Sequence, residues 1–478
     1  MFEKNINYIS FVTVISLVIL SNVFGISLDM SMHFIIHSVL IILIVFYLVT
    51  FSEFYGQLEV FLFLPIIISA FQNVYIGFFA DNLESMQIQV GIINNYILAI
   101  ALFIYLSFAR PYVYVKDSFF KLLGVLVFFL ITYMLILSLS KGINVVSFIS
   151  SVRNITSPFL FFAVGYLSFY KIRLNKFLNC FIFLGFVIIA FGLLERFVFT
   201  DFWHLLNIES LWLKKGLNVN FNGLPGNFYA SEKINGEYVR RMVSLYADPV
   251  NFGTVIFLIF SISWYLKSKI LMFFSFLSIF LIISKGALLG FFVFYLTLVF
   301  YKKSRIVFFI NVFIIFLCGI GFLVFAYINN SMSVFVHIYG MFYAILELPK
   351  NIFGRGVGNI GVIASLFQSN LDSNITESGM GMIVGQLGLP GIFIYFLFIK
   401  NIFKGISFSL LKRDKIFCYT LLYAILLNIM FNEVALSPNS CAGYFIILGL
   451  FVRKIQNESN LSVFSKACFS PIVCSPVK

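Results

Sequence analysis

Apolar residues run almost without interruption along this chain, in blocks of roughly twenty separated by short polar or basic turns. The blocks are continuously apolar rather than alternating, so they predict helices that satisfy their own backbone hydrogen bonds, not the strands of a barrel. About fourteen spans are expected, centred near residues 15, 41, 69, 97, 129, 162, 186, 257, 276, 293, 315, 389, 425 and 445. The runs near 276 and 293 are the shortest. The fold expected is an all-α polytopic membrane protein, with one integral-membrane domain over 1–455 and a short, poorly ordered tail over 456–478 that Pro471 and Pro476 break. The opening run to Leu20 lacks a small-residue cleavage site and leads into another span, so a removable signal peptide is not expected.

Two stretches break the pattern: Asp201 to Asp248 and Asn329 to Thr376. Both are polar, and each leads into a dense motif. The first closes on Val239-Arg240-Arg241-Met242 and Asp248-Pro249-Val250-Asn251-Phe252-Gly253; the second carries Gly354-Arg355-Gly356-Val357-Gly358-Asn359 and then Glu377-Ser378-Gly379. No internal repeat relates the two segments, which counts against a transporter built from inverted repeats.

Composition agrees with the pattern: 61% of residues are hydrophobic, 11% are charged and the mean hydropathy is +1.03, far from the averages of a soluble domain. Charge adds orientation. Basic clusters follow every second span from Arg110/Lys116/Lys121 through Lys171/Arg173/Lys176, Lys267/Lys269, Lys302/Lys303/Arg305 and Lys400/Lys404/Lys412/Arg413/Lys415 to Arg453/Lys454. Positive charge is retained in the cytoplasm, so both termini are expected inside and both polar segments outside as long extracytoplasmic loops. The net charge of +13 then reflects contact with anionic membrane lipids and gives no reason to expect nucleic acid. The six cysteines avoid both polar segments, which disfavours disulfides or a cysteine metal site there.

Several residues in or near the loops carry candidate chemistry. Arg240 and Arg241 precede a helix that Asp248 or Asn251 could cap and Pro249 could start, and a guanidinium at the mouth of a bundle suits a phosphate. The competing reading is that they anchor the loop to lipid phosphates. Lys285 sits among small residues in Ser284-Lys285-Gly286-Ala287, which allow close helix approach. Glycines at 354, 356 and 358 around Arg355 would permit close approach to a ligand and an anion-binding nest. Glu377 is expected in the first turn of a span, where the helix dipole favours a carboxylate and where it would accept a proton from an attacking hydroxyl. Asp372 and Asp248 compete with it for that role. Trp203 and Trp212 read as interfacial anchors, Lys214 and Lys215 as solvated or facing lipid headgroups, and His33, His37, His204 and His337 as structural or interfacial. No Asp-x-Asp pair occurs, so the usual carboxylate clamp for a metal and a nucleotide sugar is missing; no cofactor and metal-independent chemistry are expected.

In order and spacing, the stretches Arg241 to Gly253, Ser284 to Leu289, Gly354 to Asn359, and Glu377 with Gly385-Gln386-Leu387-Gly388-Leu389-Pro390-Gly391 resemble the O-antigen and capsule repeat-unit polymerases, the Wzy group of the O-antigen polymerase and ligase superfamily. The first half matches only in being many hydrophobic helices. The resemblance implies a C-type membrane glycosyltransferase on the outer face of the bacterial plasma (inner) membrane. It would move a growing glycan from undecaprenyl diphosphate to the non-reducing sugar of an incoming lipid-linked repeat unit. Arg241, Lys285 and Arg355 would neutralise the leaving diphosphate, Arg240 and Arg153 would assist, Asn251 and Asn359 would belong to the substrate site, and Glu377 would be the base. A flippase and a chain-length regulator would be partners. Two departures stand out: many relatives carry Arg at Lys285, and ligase-type members carry a His in the second loop where this chain offers Glu377. The alternatives are a ligase acting on a lipid A core, a lipid-linked oligosaccharide flippase and a structural membrane protein.

Overall fold

The structure, a computed structural model, describes residues 58–109, 117–141, 144–220, 222–234, 237–303, 305–328, 332–362 and 377–468. The expected spans near 15 and 41, together with His33, His37, Arg110, Lys116 and Asp372, lie outside the described residues.

Every expected centre from 69 onward falls in a helix. The first five are α1 (Leu58–Phe79), α2 (Ser85–Phe108), α3 (Ser118–Lys141), α4 (Val145–Ser168) and α5 (Leu174–Phe197). After the first polar segment come α6 (Pro249–Leu266), α7 (Lys269–Ile282), α8 (Lys285–Lys302) and α9 (Arg305–Ile328). The second polar segment contains α10 (Met332–Leu346), and α11 (Gly379–Ser407), α12 (Lys412–Phe431) and α13 (Pro438–Cys468) complete the bundle. Among the described residues eight helices, α1 to α6, α11 and α12, are long and apolar enough to cross a membrane. The short runs near 276 and 293 are α7 and α8.

Many large apolar residues lie on the surface of this bundle. α7 turns Leu271, Ser275, Ser278, Ile279 and Ile282 inward and leaves Ile270, Phe273, Phe274, Leu277 and Phe280 exposed, an arrangement that requires lipid around it. At the centre lies α13, every residue of which from 441 to 452 is buried. It meets α4 backbone to backbone, because a Cβ on Gly165 would strike the Ile446 carbonyl and one on Gly449 would strike that of Phe162. The helix continues to Cys468, so the tail expected from Gln456 begins as helix.

The two ends of the bundle differ. At one end the basic clusters gather around carboxylates, with Arg453 paired to the partly buried Asp117 and Lys454 to the buried Asp414 at 2.6 Å. Both polar segments emerge at the other.

The first segment is a folded cap on an otherwise helical chain. Two short helices, Phe202–Leu205 and Ile208–Lys214, lead to an antiparallel hairpin of β1 (Tyr229–Ile234) and β2 (Glu237–Arg240). Trp203 and Trp212 are not interfacial anchors: both are buried, and with Leu211, Leu224 and Phe228 they form a separate small core over Ile76 and Ala80 at the end of α1. Lys214 is not free in solvent either, since its ammonium donates to the carbonyls of Ala80, Asp81 and Leu83.

Candidate functional site

The side chains that the first segment presents to the bundle are held by helix ends. Asp248 caps α6, accepting from the amides of Val250 and Asn251 at 3.2 Å, and Pro249 occupies the first turn, as the sequence predicts for one of the two proposed caps. Asn251 does not cap. Its Nδ2 donates to Asp248 Oδ2 at 2.6 Å and its Oδ1 accepts from Ser440 at 2.5 Å, tying α6 to α13. Arg241 donates to three backbone carbonyls: Nε to Ile282 at 2.9 Å, one terminal nitrogen to Ile283 at 3.1 Å and the other to Asn227 at 3.3 Å. Two of these lie at the C-terminal end of α7, where a cation is favoured by the helix dipole. Arg240 reaches the other way, to the buried carboxylate of Glu195 at 2.5 Å. That pair fixes the hairpin to α5 and gives Arg240 a structural partner in place of a phosphate.

Arg153 occupies the opposite situation. It lies eight residues into α4, roughly 12 Å from the start of the helix, and is buried. Its guanidinium donates to the Ile92 carbonyl at 3.1 Å and to Asn154 Oδ1 at 3.2 Å, and among the described residues no carboxylate pairs with it. A second cation, Lys215, lies within electrostatic reach of it, and nothing in the sequence separates that lysine from its neighbour. Lys215 donates to Asn73 Oδ1 at 2.9 Å and sits 4.6 Å over the Trp212 ring. Burial pushes its ammonium down to about 7, with Asp248 opposing the shift and Arg153 adding to it. Burial also raises the Asp248 carboxyl above the ordinary carboxylate range, against the amides of Asn251 and Val250 and the charges of Arg241 and Lys215. The environment thus disfavours isolated charge and favours any anion that brings its own.

Polar side chains extend the site into the bundle. Gln72, Asn95 and Asn439 are linked in a chain, Asn95 to Asn439 at 2.7 Å and Asn439 to Gln72 at 2.9 Å. Tyr96 and Thr156 share a hydrogen bond beside Arg153. Asn95 Oδ1 is buried without a partner, an arrangement that is costly unless a donor arrives.

The second segment joins the bundle by another route, and it corrects the nest. α11 is broken at Gly388, whose φ of 62° and ψ of −153° leave the helical region, with Pro390 just beyond. The break frees carbonyls that the loop fills: the amide of Arg355 donates to Gly385 at 2.8 Å, that of Gly356 to Gln386 at 3.2 Å, and Leu389 donates to the Ile352 carbonyl at 2.8 Å. The Gly358 amide goes to Gln386 Oε1. These donors are therefore spent on protein and form no anion cradle. Two of the glycines are closely approached, but by protein: a Cβ at Gly354 would collide with the Gln386 carbonyl of α11, and one at Gly358 with the backbone of Ser147 and Phe148 in α4. The Arg355 side chain pairs with Glu347 at 3.1 Å, which also takes Lys350 at 2.8 Å, and Asn359 Nδ2 donates to the Arg355 carbonyl at 3.0 Å. The hydrogen bond from Lys350, with the charges of Lys350 and Arg355, holds the Glu347 carboxyl below its ordinary range.

Glu377 lies before the Ser378 cap of α11, outside the first turn, and is half exposed, with its carboxylate 3.4 Å from His337 Nε2 on α10. His337 lies on this helix of the second segment, as expected. Glu433, which sequence reasoning passed over, is buried and accepts from the Val362 amide at 2.7 Å, while its own amide donates to the Glu377 carbonyl at 2.9 Å. Its one legible signal was a carboxylate in the short turn between the last two spans. Lys285 starts α8, partly buried, two residues past the Ile283 carbonyl that Arg241 holds. Gly286 and Gly253 admit neighbours as expected: a Cβ on the first would meet Asn428 and on the second Ser284.

The structure thus brings Arg241, Asn251 and Lys215 together around Asp248, with Arg153 beyond Lys215, and leaves Arg240 and Arg355 in ion pairs elsewhere. α4 is the seam between the segments: Arg153 interacts with Lys215 of the first, while Ser147 donates to Gly358 of the second at 2.6 Å and Ser151 accepts from Gln386 of α11 at 3.3 Å. Among the described residues no group of three His, Cys, Asp or Glu side chains is placed to hold a metal. Compared with known proteins, the chain matches no family model and no curated protein.

Proposed function

We propose that this multi-pass membrane protein is a glycosyltransferase that polymerises undecaprenyl-diphosphate-linked repeat units on the outer face of a bacterial plasma membrane. The observation that carries the reading is the buried, carboxylate-free Arg153 beside Lys215, at the end of the bundle where both polar segments converge. A diphosphate supplies the missing negative charge, and a guanidinium suits it through paired hydrogen bonds. In the reaction, the acceptor hydroxyl attacks the anomeric carbon of the donor, the bond from that carbon to the diphosphate oxygen breaks, and the proton passes to Glu377. Undecaprenyl diphosphate leaves with both electrons of the broken bond. Arg153 and Lys215 stabilise the charge that develops on it, with Arg241 and Lys285 at the rim. Glu377 suits the base because its carboxylate is open to substrate, whereas Glu195, Glu347 and Glu433 are held by protein donors.

A second reading is a lipid-linked oligosaccharide flippase, favoured by the depth of Arg153 within a helix, since an intramembrane charge facing a bundle interior marks a transport path. The test is complementation of a polymerase-null strain, with surface glycan length read on a gel. Glu377→Gln is expected to restrict cells to single repeats while membrane expression persists. Full-length polymer from this variant would remove Glu377 from the chemistry; repeat units trapped inside the cell would favour the flippase, and polymer retained on its lipid carrier a ligase.

A further inference from the structure

We infer that the end of the bundle opposite the polar segments carries a specific site for an anionic phospholipid whose headgroup bears two phosphates. An open cleft of about 960 Å3 lies there, lined by Arg173, Lys176, Lys267, Arg413 and Lys454 together with Tyr265, and no carboxylate lines it. The carboxylates behind its wall are already committed. Glu59 takes the Arg173 amide at 2.9 Å and Lys176 at 3.5 Å; Asp414 takes Lys454 at 2.6 Å and the Tyr265 hydroxyl at 2.9 Å. Arg413 stacks 4.7 Å over the Tyr265 ring, which fixes its plane at the cleft mouth. Arg173, Lys267 and Arg413 consequently have no ion-pair partner among the described residues.

Like charges converging on one concave surface repel, and the fold tolerates them at lowest cost when an anion sits between them. Three unpaired cations exceed what a single phosphodiester neutralises, which favours two phosphates over one. The surroundings favour a lipid over a soluble anion. The cleft lies among the ends of α5, α6, α12 and α13, and α5 and α7, which starts two residues past Lys267, leave the apolar residues Phe183, Phe186, Ile270 and Phe273 exposed on the bundle surface. Acyl chains can follow that face while the headgroup occupies the cleft. A generic basic rim explains the cations one by one, but not their convergence on a single cleft free of carboxylates.

The test uses the full chain in nanodiscs, with diphosphatidylglycerol, phosphatidylglycerol or phosphatidylcholine titrated in and bound lipid counted by native mass spectrometry. Diphosphatidylglycerol is expected to be retained most strongly. Arg173→Gln with Arg413→Gln should weaken its retention on the order of tenfold to thirtyfold, at about one interfacial charge-interaction each, while Lys303→Gln with Lys400→Gln, a charge-matched change on the same end, should not. Arg173→Lys with Arg413→Lys should keep most of the binding, which separates loss of charge from loss of fold. Equal weakening by the control pair would reduce the site to a diffuse rim, and equal retention of phosphatidylglycerol would overturn the two-phosphate assignment. Inorganic pyrophosphate raising the melting temperature where the lipid does not would show that a soluble diphosphate is the ligand and the lipid assignment wrong.

Discussion

The two polar segments look alike in the sequence, each a break in apolar helix ending in an arginine-bearing motif, yet they attach to the bundle by different physics. The first carries its own hydrophobic core around Trp203, Trp212 and Phe228 and clamps helix ends with Lys214, Arg240 and Arg241. The second has no such core among its described residues; it is held by backbone hydrogen bonds to a broken helix and by the Glu433 carboxylate. The difference teaches that an arginine in a dense motif is as ready to hold scaffold as substrate. The strongest candidate for a substrate charge, Arg153, lies outside both motifs, on the helix they share.

The largest effect expected is on the second segment. Gly354→Val places a branched side chain at a φ of 81° and into the Gln386 carbonyl, so the loop should detach from the α11 break and the protein should fail to accumulate or lose activity. Limited proteolysis would show cleavage near residue 354 with the hairpin still protected. Equal loss of hairpin protection would mean that the segments are one unit.

Next comes the division between scaffold and substrate charges. Arg153→Met removes a buried cation that lacks a carboxylate, so the melting temperature should hold or rise while polymer synthesis drops by roughly a hundredfold or more. An unstable but active variant would reverse the assignment.

Lys215 sharpens the comparison through pH. Its ammonium is lowered from 10.5 to about 7 in the fold, so between those values the unfolded chain binds the extra proton and stability should rise with pH across that window. Lys215→Met should flatten the rise in detergent-solubilised protein. Anion binding needs the charged form, so affinity for inorganic pyrophosphate should fall as pH climbs above about 7, opposite in sign to the stability trend. The smallest effect is expected for Arg355→Ala, whose side chain makes only an ion pair with Glu347 in the outer part of the second segment; its melting temperature should scarcely move, and a large loss of polymer with unchanged stability would return Arg355 to the substrate site.

The helices were legible because a run of apolar residues has one cheap solution in lipid, and every centre from 69 onward lies in one. Asp248 was legible as a cap because its signal is local. Trp203 was not, since an indole at a span boundary reads the same whether it faces headgroups or a small core of its own. Lys214 and Lys215 are adjacent and chemically identical, and only the packing under them sends one to helix-end carbonyls and the other toward Asp248. Gly354 and Gly358 mark close approach, but nothing in their sequence neighbourhood names the backbones of α11 and α4 as what approaches. Glu377 was visible as a carboxylate at a span entrance, whereas its companion His337 comes from forty residues earlier and meets it only in the folded chain.

The break at Gly388 also sets a schedule for biogenesis. Ile352 to Gly358 leave the ribosome before α11 exists, so the carbonyls their amides will bind are still unmade. Until the halves of that helix are inserted, the loop must wait, solvated, at the membrane surface, while the hairpin of the first segment can close on elements already synthesised. Docking of the second segment is therefore a late event in assembly, which cannot precede the insertion of one kinked helix.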